Sequence, residues 1–176
     1  FTGPIDVSGG TLVLGGANVG HGAVTVQSGG TLKLGNAAAI SGGSLVTVSA
    51  GGTLDFNGAA PAAGVTPLIP EVHASGAGVG GLGAITNTGA GITNVSSMAK
   101  LVLDGDISWG STARNDLPGS LTLVGNGKTI TKVGGGETWF FPTITSQPGA
   151  IVVNGGTFGV QTTNPLAANV PVTVNT

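Results

Sequence analysis

Acid–base chemistry in this sequence would have to draw on seven carboxylates, Asp6, Asp55, Glu71, Asp104, Asp106, Asp116 and Glu137, and on two histidines, His21 and His73. Glycoside cleavage needs two carboxyl groups a few ångströms apart on one face. Only Asp104 and Asp106 stand close in sequence, and Asp104-Gly105-Asp106 reads as a turn between strands. The same pair is too few oxygens for calcium, which takes six to eight. Arg114 and Asp116 read as a surface ion pair, worth little. Neither histidine has a serine or carboxylate at a recognisable triad spacing, so both read as loop residues.

Two glycine motifs imitate nucleotide sites. Gly78-Val79-Gly80-Gly81-Leu82-Gly83 fits G-x-G-x-x-G, but Ala84-Ile85-Thr86-Asn87 follows it where the dinucleotide fold requires a helix. Gly127-Lys128-Thr129 echoes the end of a phosphate loop, yet Thr122 stands where that motif needs glycine. No cofactor is expected. The aromatic candidates are Trp109, Trp139, Phe140 and Phe141. Alternation places Phe140 opposite Trp139 and Phe141, so one face of that strand belongs to the core. Core packing is the first expectation for large aromatics. If any pair contacts a ligand such as a sugar ring, it is Trp139 with Phe141. Asn94-Val95-Ser96 is a sequon, which by itself assigns no function.

The elements that must carry these residues are strands. Glycine pairs begin at 9, 29 and 51, spaced 20 and 22 residues apart, and each is flanked by alternating runs. Ile5-Asp6-Val7 leads to Thr11-Leu12-Val13-Leu14, Val24-Thr25-Val26 to Thr31-Leu32-Lys33-Leu34, and Val46-Thr47-Val48 to Thr53-Leu54-Asp55-Phe56. Ile151-Val152-Val153-Asn154-Gly155-Gly156-Thr157-Phe158 closes the series. Period two turns Val24, Val26, Leu32 and Leu34 to one side and Thr25, Thr31 and Lys33 to the other. A period near twenty with turn glycines predicts a solenoid whose turns bury each other. Thr11, Thr31 and Thr53 should then form one column, and Leu12, Leu32 and Leu54 another. The first turn is one residue shorter between its strands, a difference the bend should absorb.

Residues 59–80 read as an irregular Pro/Gly-rich excursion, because Pro61, Pro67 and Pro70 cannot sit inside a ladder. Alternation resumes at Gly81–Asn87, then Ala99–Leu103, Ile107–Trp109, Leu121–Leu123, Thr129–Lys132 and Trp139–Phe141. A longer repeat aligns residues 22–32 with 149–158, at an offset of 126 to 128.

Composition agrees. The 176 residues fit one domain, with 40% hydrophobic but only 7% charged residues and 35 glycines. A chain that pairs its backbone in long ladders can face water with Thr, Ser, Asn and Gly instead of charge. A net charge of −2 offers no basic face to nucleic acid or to an anionic membrane. No cysteine is present, so disulfides and thiolate metal sites are excluded. No apolar run is long enough for a membrane-spanning helix.

The motif Thr-Val-x-x-Gly-Gly-Thr-Leu-x-Leu-Gly, met by the copies above and entered through Phe1-Thr2-Gly3, resembles the autotransporter-associated β-strand repeat of bacterial surface proteins. Phe1 stands where that repeat often has Tyr. The resemblance covers most of the chain outside 59–78. It implies a secreted, right-handed parallel β-helix at or beyond the outer membrane. The expectation is therefore one all-β domain over residues 1–176, a single-chain solenoid of about eight coils of roughly 20–22 residues. Its expected role is structural and non-enzymatic: an extracellular spacer or fibre segment stacking end to end with continuing repeats or neighbouring copies, since both ends fall mid-repeat. The alternatives are an adhesin or carbohydrate-binding passenger module for host or matrix glycans and, third, a β-helical polysaccharide-degrading enzyme.

Overall fold

The computed structural model describes residues 2–17, 21–40, 45–62, 69–161 and 166–175. The strands of the first half are β1 (Ile5–Val7), β2 (Gly10–Leu14), β3 (Val24–Val26), β4 (Gly30–Leu34), β5 (Leu45–Val48), β6 (Thr53–Asp55), β7 (Glu71–Gly76) and β8 (Ile85–Thr86). Those of the second are β9 (Lys100–Gly110), β10 (Thr122–Val124), β11 (Thr129–Val133), β12 (Glu137–Phe140), β13 (Thr143–Ser146), β14 (Ala150–Val153), β15 (Thr157–Val160) and β16 (Val172–Val174). The described helix is a single 3-10 turn, Val79–Gly81.

Every strand pairing is parallel. The chain is a β-solenoid of about seven turns, roughly 34 Å long at one strand spacing per turn. One side, face A, stacks β1, β3, β5, β7, the first part of β9, β10 and β13. Face B stacks β2, β4, β6, β8, the second part of β9, β11, β14 and β16. Among the described residues, face C carries strands only in the second half, where β12 pairs with β15 and isolated bridges join Ile92 to Asn115 and Leu117 to Phe140.

The predicted columns are present. Thr11, Thr31 and Thr53 are register partners. The inward column of face B runs Leu12, Leu32, Leu54, Ile85, Trp109, Lys132, Val153, Val174 through seven successive pairings. Apart from the two edge residues Leu12 and Val174, these side chains are buried. Apolar side chains from all faces meet in one core cluster. The bend does absorb the length difference, since Val7 pairs with Val26 and Gly10 with Gly30, leaving two residues between them in the first turn and three in the second. Gly30 is required by proximity, because a Cβ there would overlap the Val7 carbonyl.

The structure corrects four expectations. About seven turns replace about eight, because the turns from Val46 to Val72 and from Val72 to Leu101 take 26 and 29 residues. The excursion contains β7, which sits in register between β5 and β9 with Val72 and Ala74 buried. Its alternation is short and hidden between Pro70 and the glycines that follow, and residues 63–68 lie outside the described residues. Asp104-Gly105-Asp106 does not separate two strands. It is the corner of one eleven-residue strand, β9, whose start pairs with β7 and β10 and whose end pairs with β8 and β11. Finally, the fourth glycine-pair copy is not the structural equivalent of the first three. Val24 lies on face A, but Ile151 lies on face B, and the later motif turns the corner from face B to face C.

Candidate functional site

The outer side of face C holds the residues singled out for ligand contact. Trp139 and Phe141 are partly exposed, and Phe140 between them is fully buried against Phe158, with ring centroids 5.6 Å apart. The alternation of β12 thus places the pair outward as expected. Trp139 is already engaged, however. The Arg114 guanidinium lies 5.7 Å from its ring centroid. The indole also lies across the next turn, so close that a Cβ on Gly159 would come within 2.5 Å of Cε3.

Beneath it, Asp116 departs from the expected surface pair. Its side chain is fully buried, and it accepts hydrogen bonds from Arg114 Nε at 2.9 and 3.0 Å, from Asn94 N at 2.9 Å and from Trp139 N at 3.1 Å. Those donors come from three consecutive turns, so this carboxylate is a clamp along the stack. Its acceptor capacity is committed to that role.

The pair tested for glycoside chemistry is dispersed. Asp104 accepts from His73 Nδ1 at 3.0–3.1 Å, and Asp106 Oδ1 accepts from Thr129 N at 2.8 Å. His73 is not a loop residue but the outward centre of β7. Its other ring nitrogen bonds Glu71 Oε1 at 2.9 Å, and Lys100 Nζ reaches the same oxygen at 3.1 Å. Burial alone would lower the pKa of His73, but the bonds to Glu71 and Asp104 outweigh it and hold the imidazole above its ordinary value. Glu71 is held below its own, by His73 first and Lys100 second. The other histidine, His21, is buried, with its Nδ1 beside the Gly22 carbonyl at 2.8 Å. The carboxylate partners of His73 come from its own strand and from the next turn, 31 residues on, a separation no triad spacing describes. The alternation Val72/Ala74 was the available signal that His73 faces outward.

On face B, Lys33, Asp55 and Thr88 form a second outer cluster. Lys33 lies 3.4 Å from Asp55, and Thr88 donates to Asp55 from both its backbone N, at 3.0 Å, and its hydroxyl, at 2.5 Å. The G-x-G-x-x-G stretch folds over this face and is pinned by Thr53, which donates to Gly83 O at 3.0 Å and accepts from Val79 N at 2.8 Å. Two shallow clefts, of about 80 and 110 Å³, flank the exposed Leu82. Both fall far below the ~300–1,000 Å³ of a typical small-molecule site.

Inside the solenoid, Lys132 is fully buried and donates to the carbonyls of Val133, Gly134 and Gly155 at 2.8, 3.0 and 3.3 Å. Burial lowers its pKa. Sequence reasoning missed it, although inward Ile130 two residues earlier already implied its direction. The described residues contain no group of three or more His, Cys, Asp or Glu arranged to hold a metal ion, and no nucleophile–base–orienter set emerges from the contacts above.

Two edges of the stack carry open apolar side chains. On β2 these are Leu12 and Val13, 37% and 56% exposed; on β16 they are Val172 and Val174, 48% and 69% exposed. Among protein-family models, curated proteins and solved structures, none matches this chain.

Proposed function

We propose that this chain is an extracellular structural protein, a rigid β-solenoid spacer or fibre-forming segment at the bacterial cell surface. The observation that carries the reading is the continuity of the columns. An inward row, apolar except for Lys132, and an outward hydroxyl-rich row run from β2 to β16, and the two end strands, with Thr11-Leu12 at one edge and Thr173-Val174 at the other, share that pattern and each have one side without a partner among the described residues. Each edge strand presents unpaired backbone groups of the kind that template another strand. Continuing repeats of the same chain or a neighbouring copy would extend both rows without a change of pattern. The low charge and the absence of a catalytic constellation among the described residues fit a molecule built for length. Electron microscopy of the native material, with light scattering across a concentration series, tests this. Threads or long rods support the reading, and isolated particles that stay monomeric at high concentration overturn stacking between copies.

A second reading, an adhesin or carbohydrate-binding module, is favoured by one observation: Trp139 and Phe141 share the outer side of face C and remain partly exposed. A glycan array tests it. Phe141→Ala is the cleaner probe, because Trp139 also supports Arg114. Polysaccharide cleavage, the third alternative, would be revived by turnover that an Asp104→Asn/Asp106→Asn double variant loses.

A further inference from the structure

Asparagine followed by glycine is the pair whose side-chain amide is most readily lost in water. The glycine backbone nitrogen bonds to the asparagine Cγ, the Cγ–Nδ2 bond breaks, and the glycine N–H proton leaves with the departing ammonia. Water then opens the cyclic imide to aspartate or isoaspartate. The sequence holds three such pairs, Asn57-Gly58, Asn126-Gly127 and Asn154-Gly155.

The fold treats them differently. Gly58 N donates to Asn87 Oδ1 at 2.7 Å, and the Asn57 amide donates to Leu34 O at 3.0 Å. Gly127 N donates to Gln147 O at 2.9 Å, and the Asn126 amide donates to Leu103 O at 3.1 Å. In both pairs the attacking nitrogen and the leaving group are therefore held by hydrogen bonds. At the third pair, Gly155 N–H has no acceptor among the described residues. Asn154 is exposed, and its Nδ2 donates to no described residue. Its carbonyl oxygen accepts from Asn175 Nδ2 at 2.7 Å, which draws electron density from Cγ and favours attack there.

We propose that Asn154 is the site of spontaneous, structure-selected deamidation in this protein. The reaction needs only water, and the fold shields the other two pairs. The product adds a negative charge to a chain of net charge −2, next to Gly155, whose carbonyl holds the buried Lys132 ammonium. Isoaspartate also lengthens the backbone by one methylene at a tight corner, where a Cβ on Gly156 would overlap the Gly136 carbonyl.

The test incubates the folded protein in neutral buffer and maps peptides by mass spectrometry, with isoaspartate scored separately. Asn154 should convert roughly thirtyfold faster than Asn57 or Asn126, the factor imposed by breaking two hydrogen bonds of ordinary net strength, about 1 kcal/mol each. In the urea-unfolded chain the three rates should converge. Equal rates at the three sites in the folded protein, or faster loss at Asn57 or Asn126, would overturn the assignment. So would rates that stay unequal in the same order after unfolding, since the fold would then not be the selector.

Discussion

The two halves of the solenoid solve the same packing problem with different interiors and different corners. In the turns built from β1 to β6, the buried side chains are mainly aliphatic, with Phe56 and His21 beside them, glycine pairs join face A to face B, and the third side has no strand among the described residues, where Ala39 and Ile40 are buried. From β9 onward the third side is formed by bridged segments and by the strands β12 and β15, and the Gly-Gly pairs sit between faces B and C, while Gly125-Asn126-Gly127 turns from face A to face B. The lumen there admits Lys132, Ser111, Asn115 and Thr138, all buried. A strand–Gly-Gly–strand motif therefore encodes a bend and the direction of the side chains that flank it. It does not encode which side of the solenoid it serves.

The contrast can be broken experimentally. The largest effect should come from Asp116→Ala, which leaves Arg114 uncompensated and removes the acceptor of two backbone N–H groups. A loss of about 3 kcal/mol in urea unfolding is expected, in the range for breaking a buried pair. Hydrogen exchange should show the loss of protection concentrated in β9–β15, with β3–β6 retained. Uniform loss would mean that the halves are a single cooperative unit. Next in size is Gly30→Ala, about 2 kcal/mol for overpacking against the Val7 carbonyl, while Gly9→Ala, with open space around it, should stay within about 0.5 kcal/mol. Equal effects would show that the pairs serve chain flexibility and not close approach.

Lys132 sharpens the comparison of interiors. Its folded pKa lies below the ordinary 10.5, so between the two values the unfolded chain holds the extra proton. Stability should therefore rise with pH through that window, and Lys132→Met should abolish the rise. His73 gives a small effect, under about 1 kcal/mol for a partly exposed cluster. Its folded pKa is raised above 6.5, so its contribution is complete below that value and is lost as pH climbs through the folded value. Denaturation midpoints of the wild type and His73→Gln, compared between about pH 5.5 and pH 8.5, check this.

Period two and the glycine pairs made the columns of β1–β6 legible, down to the partners of Thr31 and Leu32. Alternation also placed Trp139 and Phe141 outward. What stayed hidden depended on contacts between turns. Asp116 looks like a surface charge until its donors arrive from Asn94 and Trp139, 22 and 23 residues away. His73 gains Asp104 only because β7 and β9 are neighbours. The motif at 151–158 matches the first copy residue for residue in pattern and the next two with one residue fewer at the bend, and no local feature could report that the path had already advanced by one side.

β9 has a mechanical consequence. One unbroken strand belongs to both sheets, bonded to β7 and β8 toward one half and to β10 and β11 toward the other. It is the seam of the molecule. Neither half can part from the other by opening the pairings of one face alone: the ladder hydrogen bonds lie along the axis, so axial tension at this strand must open those of both faces together.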